Sequence, residues 1–450
     1  MPGIVTPTLG FSQPYLGPVI RVRRGTSVPV AITNRTPGAI TTHWHGLHVD
    51  GVHDGGPHGV FGPGSTWSPT LDVDQPAATL WYHSHVHGRT GEQVYAGLAG
   101  MLIVDDPAAP PNGLPQTWGV DDLALVVQDR AFDGDGRLVY APRGPSLMHG
   151  FKAGEIVVNG AVRPVASVPA GLVRLRVLNG SNARIYRFGF EDGRRLHQVA
   201  SDGGLLERPV GLASLTLAPA ERAEVVVDFS DGRAARLLSA DDDNGPMMGG
   251  MGGMGGMGGR MGMGMGGGGE PGHRAADGRF EVMRFTVDRA RPAGVAALPD
   301  RIAGAPGRPT WGEPVRRRSF RLDMHVGGMG GGRGMGGMGG MGMMGINGRS
   351  MAMGRIDFAA RRGETELWHV VANEMAHPFH VHGTQFVVSS LNGAAVPFAS
   401  TGLKDVVLVE GEAELLVRFT RSAGSDAPYM IHCHILEHED AGMMSQFTVA

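Results

Sequence analysis

An all-β chain built from three sandwich- or barrel-type units is the fold class this sequence predicts, on three observations. Short runs rich in Val, Ile, Leu and Thr, broken by Gly, Pro, Asn and Asp, recur at 18–22, 27–33, 123–128, 172–178, 223–229, 366–371 and 413–419. Such spacing is the signature of strands separated by turns, and helical periodicity is weak throughout. An Asn closing an apolar run appears three times, at Asn34, Asn179 and Asn373, and Asn159-Gly160 is echoed by Asn347-Gly348. A repeat of one unit explains that echo. Finally, 450 residues exceed what a single core organises. Pro-rich 107–115 and the stretch 291–309 make plausible joints, giving units 1–110, 111–300 and 301–450.

Bulk properties narrow the function. The net charge is −3 with no strongly basic stretch, which excludes nucleic acid as a natural partner. One cysteine rules out an intrachain disulfide framework. No apolar run approaches the about 20 residues a membrane helix needs. The opening Met1-Pro2-Gly3-Ile4-Val5-Thr6 has neither the charged nor the apolar region of a signal peptide, which points to a processed or shortened form or to a cytoplasmic protein. A monomer is expected. The glycine excess is local: two tracts of Met-Gly and Met-Gly-Gly units lie at 245–269 and 324–345.

The single cysteine sits in His432-Cys433-His434-Ile435-Leu436-Glu437-His438-Glu439-Asp440-Ala441-Gly442-Met443. Two histidines, a thiolate and a weak axial thioether are the ligand set of a blue-copper electron-transfer site. Residues 430–434 read as a strand, so Cys433 faces one side and His432 and His434 the other. One strand then holds two kinds of metal on opposite faces. Three more His-x-His groups occur, in His43-Trp44-His45-Gly46, His83-Ser84-His85 and His377-Pro378-Phe379-His380-Val381-His382-Gly383. One such pair arises by chance; four, with a cysteine inside the last, do not.

These four motifs, in order and spacing, resemble the copper-binding motifs of the multicopper oxidase family, and the resemblance runs across essentially the whole chain. It implies three cupredoxin-like Greek-key domains, four coppers per chain and O2 as co-substrate. By motif position it implies type 1 copper ligands at His377, Cys433, His438 and Met443. His43 and His380 match the type 2 pair, and His45, His83, His85, His382, His432 and His434 match the ligands of the two type 3 coppers. The first and third units both contribute, placing that cluster at their interface. The resemblance also points to Asp54 and Glu439 as the carboxylates that supply protons, although Asp54-Gly55-Gly56 is equally a turn signal and Glu439 could be a solvated helix residue. His87 continues the alternation of His83 and His85 and reads as a hydrogen-bond partner of ligands. His48, His53, His58, His149, His197, His273, His325 and His369 read as surface or loop histidines.

The closest branch is the bacterial cuprous oxidase and laccase group of the CueO type, which implies an exported or periplasmic location while a cytoplasmic one stays open. Thioethers favour Cu(I), and Gly between them prevents a helix or core. The tracts therefore read as copper capture, against a low-complexity linker without a role. Met324 and Met375 resemble substrate-copper ligands of that branch, with Asn373 standing where those enzymes carry Asp. The expected reductant is Cu(I), with small phenols as the rival. A non-enzymatic copper-sequestering protein is the alternative of a different class; intact ligands at Cys433 and the His pairs argue against it.

Overall fold

The computed structural model describes residues 5–240, 278–325 and 344–450. The tract 245–269, most of 324–345 and His273 lie outside the described residues. The expected all-β character is what the chain adopts. The helices among the described residues are single turns or two, the longest being Thr90–Ala96.

Three sheet systems follow one another along the chain. In the first, Ala99–Asp105 lies between Ile20–Arg23, which it pairs in parallel, and Ala78–His83, antiparallel. Two short ladders, Thr26–Pro29 with Thr70–Val73 and Ile32–Thr33 with Thr66–Trp67, complete it. A seven-stranded sheet centred on Leu172–Asn179 and a five-stranded sheet containing Phe280–Asp288 enclose the second core, built from Val173, Leu175, Val177, Phe188, Val225 and Phe285. A ten-stranded system carries the third, its spine the 17-residue strand Thr365–Val381 packed around Phe320, Trp368, Phe379 and Phe447.

The recurring asparagines do equivalent work in two of three places. Asn34 and Asn179 are both buried, and each side-chain oxygen accepts the N–H two residues on, from Thr36 and Ser181. Each amide then donates to two carbonyls, Gly38 and Phe61 in one case, Arg184 and Leu217 in the other. Asn373 departs: it is exposed. The second echo holds in full. Asn159 and Asn347 both have positive φ, 51° and 53°. Asn159 clamps Val126 N–H and Ala124 C=O, and Asn347 clamps Arg321 N–H and Ser319 C=O. Asn tolerates that backbone region and satisfies the neighbouring strand's groups.

Candidate metal centre

Strand Tyr429–Cys433 pairs antiparallel with Thr365–Val381, setting Phe379 opposite Cys433 and His380 opposite His432. Cross-strand partners share a face, so the thiol and His432 point to opposite sides. A register shift between Ala372 and His377 re-aims the long strand just before its histidines, as bulges beside functional sites do.

On the thiol side, His377 Nδ1 lies 3.3 Å from Cys433 Sγ, His438 Nδ1 lies 3.6 Å from it, and the two nitrogens are 3.2 Å apart. All three side chains are fully buried. His438 comes from the short helix Leu436–Asp440, and its Nε2–H donates to the Met148 carbonyl at 3.0 Å. That bond fixes the tautomer and leaves Nδ1 with a free lone pair. The Met443 backbone closes the loop: its carbonyl accepts from Cys433 N–H and its N–H donates to the His438 carbonyl. Its side chain joins the same apolar cluster as Cys433. Burial pushes the thiol pKa up, pulls that of His377 well down and brings His438 to about 3. Both imidazoles are thus neutral ligands, and a metal must displace the thiol proton.

On the other side eight imidazoles pack together. The Nε2 atoms of His85, His382 and His432 converge at 3.2–3.3 Å. The rings of His45, His83 and His434 lie 5.1–5.7 Å apart. His43 and His380, 5.8 Å apart, stack respectively on His382 and His45. Reciprocal backbone hydrogen bonds between His43 and His83 hold the first two motifs together. Burial first, and neighbouring imidazoles next, hold the pKa values of His45, His85, His380 and His382 well below the usual range. Buried nitrogens without a partner include His43 Nε2, His45 Nδ1, His83 Nε2, His380 Nε2 and both of His434. Unpaired buried polar atoms are costly. Here they are imidazole nitrogens facing one another beside a thiol site, a donor set that suits copper.

Both carboxylates picked out in the sequence stand behind these rings. Asp54 Oδ2 is 2.8 Å from His382 Nδ1 and 3.3 Å from His43 Nδ1. Glu439 lies 3.2 Å from the Nδ1 atoms of His85 and His432. Asp54 ends the short helix Gly51–Asp54, and Gly55 caps it with φ +74°, where a Cβ would collide with the Thr42 carbonyl. Met324 and Met375 are buried in the third core with Met344 and Met443, and an ion pair between His325 and Glu374 sets their segments side by side. One histidine expectation needs correction: His87 Nδ1 has no hydrogen-bond partner. His48 lies in a loop, as expected, half-buried and with its pKa lowered to about 4 by burial. Asp405, against His45 and His380, was invisible in the sequence, where it is one charged residue before an apolar run.

The chain is similar to proteins already known. Two multicopper oxidase family models match, over residues 2–109 and 329–450. A laccase-like multicopper oxidase CueO from Ochrobactrum sp. is 40% identical, with a TM-score of 0.83 over 97% of this chain and 91% of that one. A multicopper oxidase from Pediococcus acidilactici is 32% identical, with a TM-score of 0.79 over 100% and 84%. Curated relatives carry a different name: cell division protein FtsP of Yersinia pestis is 35% identical over 98% of this chain and 85% of its own length. That of Escherichia coli is 34% identical over 100% and 86%. With a cupredoxin-like all-β fold and a copper-suited donor set in place, the chain belongs to the multicopper oxidase family.

Proposed function

We propose that this protein oxidises a small reductant one electron at a time at the His377–Cys433–His438–Met443 site and delivers the electrons to O2 at the histidine cluster. The observation that carries the reading is the convergence of Cys433 Sγ with His377 and His438 on one face of a strand, while His432 joins His85 and His382 on the other. One type 1, one type 2 and two type 3 coppers, bound in the sets named above, would supply storage for the four electrons that reduce O2 to water. The protein does the rest. Cys433 shares its backbone with His432 and His434, so the two donor sets are a few covalent bonds apart. Burial keeps bulk water from the imidazoles. The closeness of Asp54 to His43 and His382, and of Glu439 to His85 and His432, supports a role for both in holding and passing protons.

The reductant we favour is Cu(I), with Met324, Met375 and the Met/Gly tracts as its capture elements; phenols are the rival. The domains are proposed as 1–110, 111–300 and 301–450, in an exported, periplasmic monomer acting in copper tolerance. The test is O2 uptake by the copper-loaded protein with Cu(I) and with a phenol, full-length against a deletion of both tracts. Deletion should slow Cu(I) turnover and quicken phenol turnover. Unchanged Cu(I) turnover would remove the tracts from the mechanism, and a loaded protein that is colourless and consumes no O2 would remove the oxidase reading. The name of the curated relatives, cell division protein FtsP, supports a second reading, a part in cell division. It requires no thiolate, so a Cys433→Ser variant should retain it fully.

A further inference from the structure

Besides Asp54, a second residue outside the four motifs touches the back of two cluster histidines at once. Asp405 Oδ1 accepts from His45 Nε2–H at 3.0 Å, and the Asp405 backbone carbonyl accepts from His380 Nδ1–H at 2.7 Å. Each bond protonates one nitrogen and bares the other: His45 is left with Nδ1 and His380 with Nε2, both buried and unpartnered. The two rings stack at 3.7 Å. On its far side Asp405 meets Arg222 from the second sheet system. Arg222 Nη1 and Nη2 donate to Oδ1 and Oδ2 in a two-pronged pair, each at 2.6 Å.

The guanidinium has no freedom left. Its Nε–H donates to the Thr79 carbonyl, Nη1 also to the Ala220 carbonyl and Nη2 also to the Asp202 carbonyl. All five of its N–H donors are used, and both members of the pair are at most 1% exposed. Such a fork positions a carboxylate with a precision that a lysine cannot match. Thr79 lies on Ala78–His83, the strand that ends in His83, so the arginine ties all three sheet systems to the cluster. Room for it is cut by the glycine after the first motif. Gly46 has φ +86°, and a Cβ there would stand 2.5 Å from Asp405 Oδ2 and 2.9 Å from Arg222 Nη2.

We propose that Asp405, locked by Arg222, is a positioning residue that sets the tautomers and orientation of His45 and His380 and so couples the type 2 site to one type 3 site. The inference rests on the copper-oxidase reading above. It differs from the roles of Asp54 and Glu439, which stand behind His43, His382, His85 and His432 and leave His45 and His380 to Asp405. Partners of metal-bound imidazoles typically govern metal affinity by about 10–100-fold, which sets the scale expected here.

The experiment uses the full-length copper-loaded protein, dialysed against graded chelator, with copper per chain, the blue band and the electron paramagnetic resonance spectrum as readouts. Asp405→Asn should surrender cluster copper about 10–100-fold more readily and show an altered type 2 signal, while the blue band of the Cys433 site stays. Arg222→Lys, which keeps the charge but loses the fork, should shift the same signal, and it decides the matter if Asp405→Asn does not fold. Lys404→Gln is the control. Lys404 bonds Asp202 and Glu221 in the same buried network but touches no histidine; this variant should unfold more easily yet keep the wild-type signal and copper retention. Wild-type copper retention and signal in Arg222→Lys and Asp405→Asn would overturn the proposal, as would equal copper loss in Lys404→Gln. A wild-type protein without a blue band would take the oxidase reading down with it, whereas a blue wild type with unaffected variants refutes the positioning pair alone.

Discussion

Replacing Glu224 by Gln should destabilise the junction between the first and second sheet systems by about 3 kcal/mol at neutral pH, and the loss should fade in acid. Glu224 is buried on Arg222–Asp228, where Arg174 and Arg176 bond its carboxylate and the Thr79 hydroxyl donates to Oε1 at 2.6 Å. Burial by itself pushes this carboxyl up from its ordinary 4.5. The two guanidiniums overcome that, and the pKa falls to about 2. A carboxyl whose pKa is depressed by folding stabilises the fold above its unfolded value, and the contribution is lost as pH falls through the folded one. The shift corresponds to about 3 kcal/mol, complete above about pH 4.5 and gone near pH 2. A second route gives the same scale: removing one member of a buried ion cluster typically costs about 3–5 kcal/mol, because the partner charges remain. Urea unfolding of wild type and Glu224→Gln, followed by tryptophan fluorescence at pH 7, 5, 4 and 3, reads the gap directly. A difference below about 1 kcal/mol at pH 7, or one that is unchanged at pH 3, would refute the assignment.

Cys433→Ser should abolish the blue band and O2 uptake together while copper on the histidine cluster persists, read by copper per chain and absorbance. Glu439→Gln should lower the rate of O2 uptake by about 10²–10⁴-fold, the scale of a lost proton-transfer group, with the reductant KM little changed in steady-state kinetics. Asn159→Ala removes bonds to Val126 and Ala124 at a left-handed position and should cost about 1–3 kcal/mol in denaturant melts.

What could be read in advance follows from how local each signal is. The two faces of Tyr429–Cys433 follow from strand alternation alone, so the separation of Cys433 from His432 was legible in three letters. The Asn159 and Asn347 echo was legible for the same reason: a left-handed Asn clamping a neighbouring strand is a local device, written in two letters as Asn-Gly. Asn373 looked like a third Asn34, yet it sits where the strand slips register before His377, and the site's geometry displaced the repeat's. The buried ions were hidden by a different cause. Alternation along Leu172–Asn179 would send Arg174 and Arg176 to water, but the first sheet system covers that face and Thr79 and Glu224 receive them. Asp405 is unreadable on the same principle, since the partners of its side chain come from 360 positions away at His45 and 183 away at Arg222. The ligands therefore lie in motifs, where one strand dictates their spacing; of the groups behind them, Glu439 shares the last motif, while Asp405 and Arg222 lie at a contact between sheet systems, where no short segment records them. A search for further positioning residues in this chain belongs at the unit interfaces, among fully buried charges, rather than near more histidines.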